Sequence, residues 1–202
     1  ELEKLNYRIN QFNIQPVYLH EITRVLEDDE ALIIFHEPYK EFNRKDTSKS
    51  VLLNGWLITN DYYSFMHFQR YQKEKKFFSY DDVFNLLKHL DFTNKEYLES
   101  PYPTELSYKL YKSIFSDLDN HPITNKIKKL IIINDGILYK IPYWALTTKQ
   151  SPLNHKFKNL PWFVNKYTLT IAPSVQSFVN LRNSENNNLN KNQPNYLDFV
   201  GI

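Results

Sequence analysis

The sequence contains no cysteine in any of its 202 residues. Structural disulfides, thiolate zinc sites and a cysteine nucleophile are therefore excluded within it. Glycine is nearly as scarce: the three glycines, at 55, 136 and 201, are too far apart to build a glycine-rich phosphate cradle. An excess of one charge is also missing. The 25 Lys and Arg face 23 Asp and Glu, and a formal charge of +2 gives no electrostatic footprint for nucleic acid. The longest aliphatic run, Leu130 to Ile133, falls far short of the roughly 18 apolar residues a membrane helix needs. No basic-then-apolar leader opens the chain, which starts on Glu1 and reads as a piece of a longer product.

Apolar material is plentiful. With 42% hydrophobic and 16% aromatic residues, the chain has enough for a core hiding roughly 70% of its unfolded surface, and intrinsic disorder of the whole is excluded. The 22 asparagines, with the many Lys, Ile, Tyr and Phe, read as compositional drift and not as function. Ten prolines and scattered polar clusters punctuate one run of elements, with no linker long enough to separate two domains.

The first 13 residues are polar with Leu2, Leu5, Tyr7 and Ile9 interspersed, and residues 1–18 read as the tail of a preceding helical region whose partner lies upstream. Leu19 to Leu26 reads as a short helix leading to an acidic group, Glu27 to Glu30, expected as a solvated turn and not a metal site. Ala31 to Phe35 predicts a strand. Val51 to Phe68, broken at Thr59, Asn60 and Asp61, predicts a hairpin, and Pro38 to Ser50 an exposed loop. Asp81 and Asp82 open a helix whose apolar face is Val83, Phe84, Leu86, Leu87 and Leu90. Pro103 and Thr104 open a second, with Leu106, Leu110, Ile114 and Leu118 every four residues, ended by His121 and Pro122.

From Lys129 the pattern changes to a continuous branched run, as expected of a strand buried on both faces of a parallel sheet. Asn134, Asp135 and Gly136 turn it, and the run resumes from Ile137 to Ile141 before stopping at Pro142. Thr168 to Ile171 predicts another strand, followed by Ser174 as the N-cap of a helix carrying Val175, Phe178, Val179 and Leu181. Asn183 to Asn195 reads as a loop and Tyr196 to Val200 as a third strand. The expected fold is α/β: a mainly parallel sheet with flanking helices and an antiparallel N-terminal extension, with a sheet that looks unfinished.

The usual catalytic constellations fail one by one. The six histidines, at 20, 36, 67, 89, 121 and 155, show no zinc spacing, and no cofactor site is recognisable. Ser174 lacks the flanking glycines of a nucleophile elbow, and Asp135 is first of all turn chemistry. No catalytic, cofactor-binding or metal residue is assigned.

The segment Lys129 to Leu146, KLIIINDGILYKIPYWAL, resembles the opening signature of a CHAT domain, the caspase-like domain commonly joined to tetratricopeptide repeats. Asp135, Gly136, Leu138, Pro142, Tyr143, Ala145 and Leu146 fall on it, while Asn134 replaces the common Pro. WFVNKYTLTIAPSVQSFVNLR, residues 162–182, is similar to the family's next block at Ala172, Pro173, Ser174, Leu181 and Arg182. Upstream, Glu30, Ala31 and Leu32 resemble its opening strand, and Tyr196 to Gly201 resembles a later one. The resemblance implies that residues 19–202 are the N-terminal part of a caspase-like domain in a bacterial, cytoplasmic cysteine peptidase. Its histidine and cysteine would lie downstream of Ile202. The implied partner is a protein substrate or regulator, with a tetratricopeptide-repeat region of the same parent as one form of it, and no nucleic acid or membrane. A second reading is a non-catalytic interaction module using aromatics among Tyr62, Tyr63, Phe65, Phe77 and Phe78. A third, an unrelated small α/β domain, would be favoured by finding the strands from Lys129 and Thr168 as antiparallel neighbours in one hairpin.

Overall fold

The computed structural model describes residues 16–37, 53–67, 78–91, 93, 100–151 and 157–189. Their centre is a five-stranded sheet in which β1 (Glu30–His36), β2 (Asn54–Ile58), β3 (Tyr63–His67), β4 (Lys129–Ile133) and β5 (Thr168–Ala172) lie in the order β3-β2-β1-β4-β5. β1, β4 and β5 are parallel; β2 and β3 continue from β1 as an antiparallel meander. The strands from Lys129 and Thr168 are thus parallel neighbours and not the antiparallel hairpin that would have favoured the third reading. The expected α/β class and antiparallel extension are both present.

β4 holds the middle because its sequence suits no other position. Leu130, Ile131, Ile132 and Ile133 are all buried, alternating between two cores that lie on opposite faces of the sheet. On one face, Ala31, Ile33, Leu130 and Ile132 pack beneath α2 (Tyr80–Lys88) and α3 (Thr104–Asp119). On the other, Leu32, Ile58, Ile131 and Ile133 pack beneath α1 (Leu19–Val25) and α4 (Val175–Leu189).

The helix starts follow from their sequences. Ser79 caps α2, its hydroxyl taking the Asp82 N–H while the Asp82 carboxylate takes the Ser79 N–H at 2.7 Å. Lys109 of α3 reaches that same carboxylate at 2.7 Å and ties the two helices together. The α3 stripe buries Leu110, Ile114 and Leu118 as its spacing requires. Phe115 is its hub, with ring centroids of Phe163, Tyr111, Tyr143 and Phe35 at 4.5, 5.7, 5.8 and 6.1 Å. Ser174 caps α4 by accepting the Ser177 N–H at 3.1 Å.

Four expectations are corrected. Residues Gly136–Lys140 form a 3₁₀ helix and not a resumed strand: Ile137, Leu138 and Ile141 are buried while Tyr139 and Lys140 are exposed, a spacing no strand produces. The Asn-rich loop expected from Asn183 is helical to Leu189, because a helix already capped at Ser174 loses only about 0.5 kcal/mol per Asn relative to better formers. The acidic turn is not simply solvated. Lys129 sits within 4 Å of Glu27, Asp29 and Glu30, and Asn60 donates to Asp28 at 2.6 Å. Of the aromatics expected at the surface, Tyr63 and Phe65 are exposed, but Phe78 is buried and Tyr62 packs against the core. Residues 1–15, the loop 38–50, Phe77, His155 and the strand expected at Tyr196 to Val200 lie outside the described residues. No helix among the described residues is long and apolar enough to cross a membrane.

Burial also sets the alkaline limit of the fold. It is the main cause that raises the hydroxyl pKa of Tyr80, Tyr111, Tyr143 and Tyr167, and it pushes Tyr102 up to about 12. A pKa above the unfolded value of about 10 means stability that is complete below that pH and lost as pH rises through the folded value. Circular dichroism against pH is therefore expected to show cooperative unfolding that begins above about pH 10. An unchanged spectrum well above pH 12 would contradict this.

Candidate functional site

Because β1, β4 and β5 run parallel, their carboxyl ends open on one edge of the sheet, the place where α/β folds bind ligands. Ile34 pairs with Ile133, so two residues further along each strand His36 and Asp135 arrive level with one another. The His36 Nδ1 lies 3.0 Å from Asp135 Oδ2, and the same oxygen accepts the Glu37 N–H at 3.0 Å. With the two side chains 65% and 44% exposed, this pair contributes under about 1 kcal/mol, and its effect is orientation. A carboxylate on Nδ1 fixes the orientation of the imidazole ring.

Glu37 returns the contact. Its carboxylate accepts the Ile137 N–H at 2.9 Å and a short hydrogen bond from the Tyr80 hydroxyl. The end of β1 and the turn after β4 are thereby clasped crosswise, each supplying a carboxylate to a backbone N–H of the other. Gly136 between them has φ +57°, and a Cβ there would lie 1.9 Å from Glu37 Oε2. Glycine is required twice, by the backbone and by the approaching carboxylate.

Behind the clasp lies a buried polar knot. The Tyr143 hydroxyl donates to Asn134 Oδ1 at 2.6 Å, and both residues are buried. The Ala145 carbonyl accepts the Ser107 hydroxyl at 3.1 Å and a short bond from Tyr102, while Ser107 Oγ accepts the Thr147 N–H at 2.9 Å. The segment after β4 is thus fastened to the start of α3 by satisfied hydrogen bonds in the core. Asn134, where the common sequence has proline, finds its use here as the acceptor for Tyr143.

The CHAT domain family model matches residues 104–200, beginning at the first residue of α3 and running through β4, β5 and α4. Over these residues the chain is similar to the CHAT domain family. No match to the chain was found among curated proteins or among solved structures. Within the CHAT segment, the structure gives most of the signature residues a structural task. Leu138, Tyr143, Ala145 and Leu146 are buried, and Asp135 and Gly136 make the clasp. Arg182 at the end of the second block reaches out of the CHAT segment to Glu30, donating at 2.6 Å to a carboxylate that is 2% exposed.

Sequence reasoning named Asp135 but read it as turn chemistry, and it missed His36, Glu37 and Tyr80. Their only sequence signal was the placement of His36 and Glu37 just past a predicted strand. The site has a His–Asp pair and no thiol, since the chain contains no cysteine. Ser174 at the same edge is engaged in its capping bonds to Ser177. Among the described residues, no group of three or more His, Asp or Glu side chains is arranged to hold a metal ion.

Proposed function

We propose that the chain is the front part of a caspase-like cysteine peptidase domain, working at the carboxyl edge of the sheet with a His/Cys dyad contributed from outside these 202 residues. The observation that carries this reading is the CHAT match at residues 104–200, whose parallel strands β4 and β5 end near Asp135 and Ser174, beside His36 at the end of β1. In such a site an imidazole raises the reactivity of the thiol, and backbone N–H groups stabilise the oxyanion. His36 and Asp135 would border that site without supplying its nucleophile. The substrate is then a protein, and a tetratricopeptide-repeat region of the same cytoplasmic parent is the regulator this reading suggests.

The zero cysteine count favours a second reading equally: a non-catalytic interaction module on the same fold. Intact mass of the native product separates the two. The peptidase reading expects a longer product that cleaves members of a peptide library and is silenced by thiol alkylation, while the 202-residue chain alone cleaves nothing above buffer. Hydrolysis by the isolated chain that survives alkylation would sink it. A native product that ends at Ile202 would hand the function to the interaction reading.

A further inference from the structure

β5 closes one end of the sheet, and among the described residues no strand pairs with its far side. Thr168 sends its N–H to the Lys128 carbonyl at 2.9 Å, so by the alternation of a strand Thr170 and Ala172 also face β4. Leu169 and Ile171 then turn their N–H and C=O groups to the open edge. Native edges are kept from pairing by a charged residue, a proline or a bulge. Thr168–Ala172, with the sequence TLTIA, carries no charge and no proline and keeps an unbroken register with β4. Its side chains are open to solvent as well: Thr168 and Thr170 are exposed, and Ile171 is 56% exposed.

The ends of the strand decide which partner this edge fits. Beyond Ala172 comes Pro173, which has no N–H to give, and before Thr168 the Tyr167 N–H is already held by the Phe163 carbonyl at 3.2 Å. Only Leu169 and Ile171 are left to bond. A second copy of the same strand, laid antiparallel about a two-fold axis through Thr170, sets each Leu169 against the other copy's Ile171, and each such pair exchanges both of its N–H···O bonds. No donor or acceptor of the edge is left over. Sliding the copies either way opposes Leu169 to Pro173 or Ile171 to Tyr167, and bonds are lost. On the α2–α3 face Leu169, which packs on the core there, meets the exposed Ile171 of the other copy, and on the opposite face Thr170 meets Thr170. The same axis puts Lys166 opposite Ser174, so like charges do not face each other.

We propose that two copies of this chain pair through β5, antiparallel and centred on Thr170, so that their five-stranded sheets continue into one another. The edge groups of Leu169 and Ile171 then gain the partners that no described residue gives them. The pairing does not rest on the peptidase reading.

The absence of native cysteine makes the test direct. Thr170→Cys places two thiols on the two-fold axis, in a non-hydrogen-bonded pair whose Cα atoms stand about 4.5 Å apart, within the span of a disulfide. In the full chain under mild oxidation it is expected to form the covalent dimer about tenfold or more faster than Thr168→Cys, which faces Ala172 of the other copy. Equal rates overturn the proposal. Sedimentation of the unmodified chain is expected to show a mass that rises with concentration towards that of a dimer, and a monomer throughout overturns it too. Thr170→Lys, a change at an exposed position, sets two like charges opposite one another and is expected to leave a monomer that circular dichroism shows to be folded. A dimer that survives this substitution uses another surface and overturns the β5 pairing.

Discussion

Arg182→Ala is expected to lower the stability of the fold by about 3 kcal/mol, at the lower end of what breaking a buried ion pair costs. Glu30 is 2% exposed and would lose its nearest cation. Lys129, 3.8 Å from the same carboxylate, compensates in part, which is why the lower end applies. Arg182 also stacks over the Phe178 ring at 5.5 Å, so some of the loss is packing. For a chain of this size the change corresponds to a melting temperature lower by roughly 6–12 °C. Urea melts of Arg182→Ala, Glu30→Gln and the double variant separate the causes. The double variant is expected to be more stable than the sum of the singles implies, since removing both charges leaves none stranded. Strict additivity would show that the pair is not coupled.

Gly136→Ala is expected to cost about 2–4 kcal/mol, combining a left-handed backbone that disfavours any Cβ with displacement of Glu37 from its hydrogen bonds. The Cβ would stand 1.9 Å from Glu37 Oε2, so that carboxylate must leave both the Ile137 N–H and the Tyr80 hydroxyl. In a Glu37→Ala background the carboxylate clash is gone, leaving the backbone part of roughly 1–2 kcal/mol and the 3.2 Å approach to the Cβ of residue 37. Thermal melts of the four proteins in this cycle measure the difference. An equal cost of Gly136→Ala in both backgrounds would falsify the clasp as the reason for the glycine.

How far the fold could be read from sequence follows from the distance over which each feature is encoded. β4 was legible because four adjacent branched residues suit only a doubly buried strand, and α3 because its stripe repeats every turn. The segment after Gly136 misled because an apolar run signals burial without saying whether the backbone is extended; there Pro142 and the left-handed glycine decide for 3₁₀ turns. Asparagines concealed the last turns of α4, whose helix is set by its cap and by the Arg182–Glu30 pair from beyond the local sequence. The clasp could not be read at all. His36 and Asp135 are 99 positions apart, and Glu37 and Ile137 are 100 apart, so only the β1–β4 register brings them together.

That register has a consequence for how the molecule is made. The meander β1–β3 is local and complete in sequence by His67, yet the edge of β1 that will receive β4 stays open until Lys129 to Ile133 leave the ribosome. At 5–20 residues per second, the roughly sixty residues between them take on the order of 3–12 s to synthesise. For that interval Ala31 to Phe35 present unpaired backbone beside side chains destined for two cores, and nascent chains are then most in need of a chaperone.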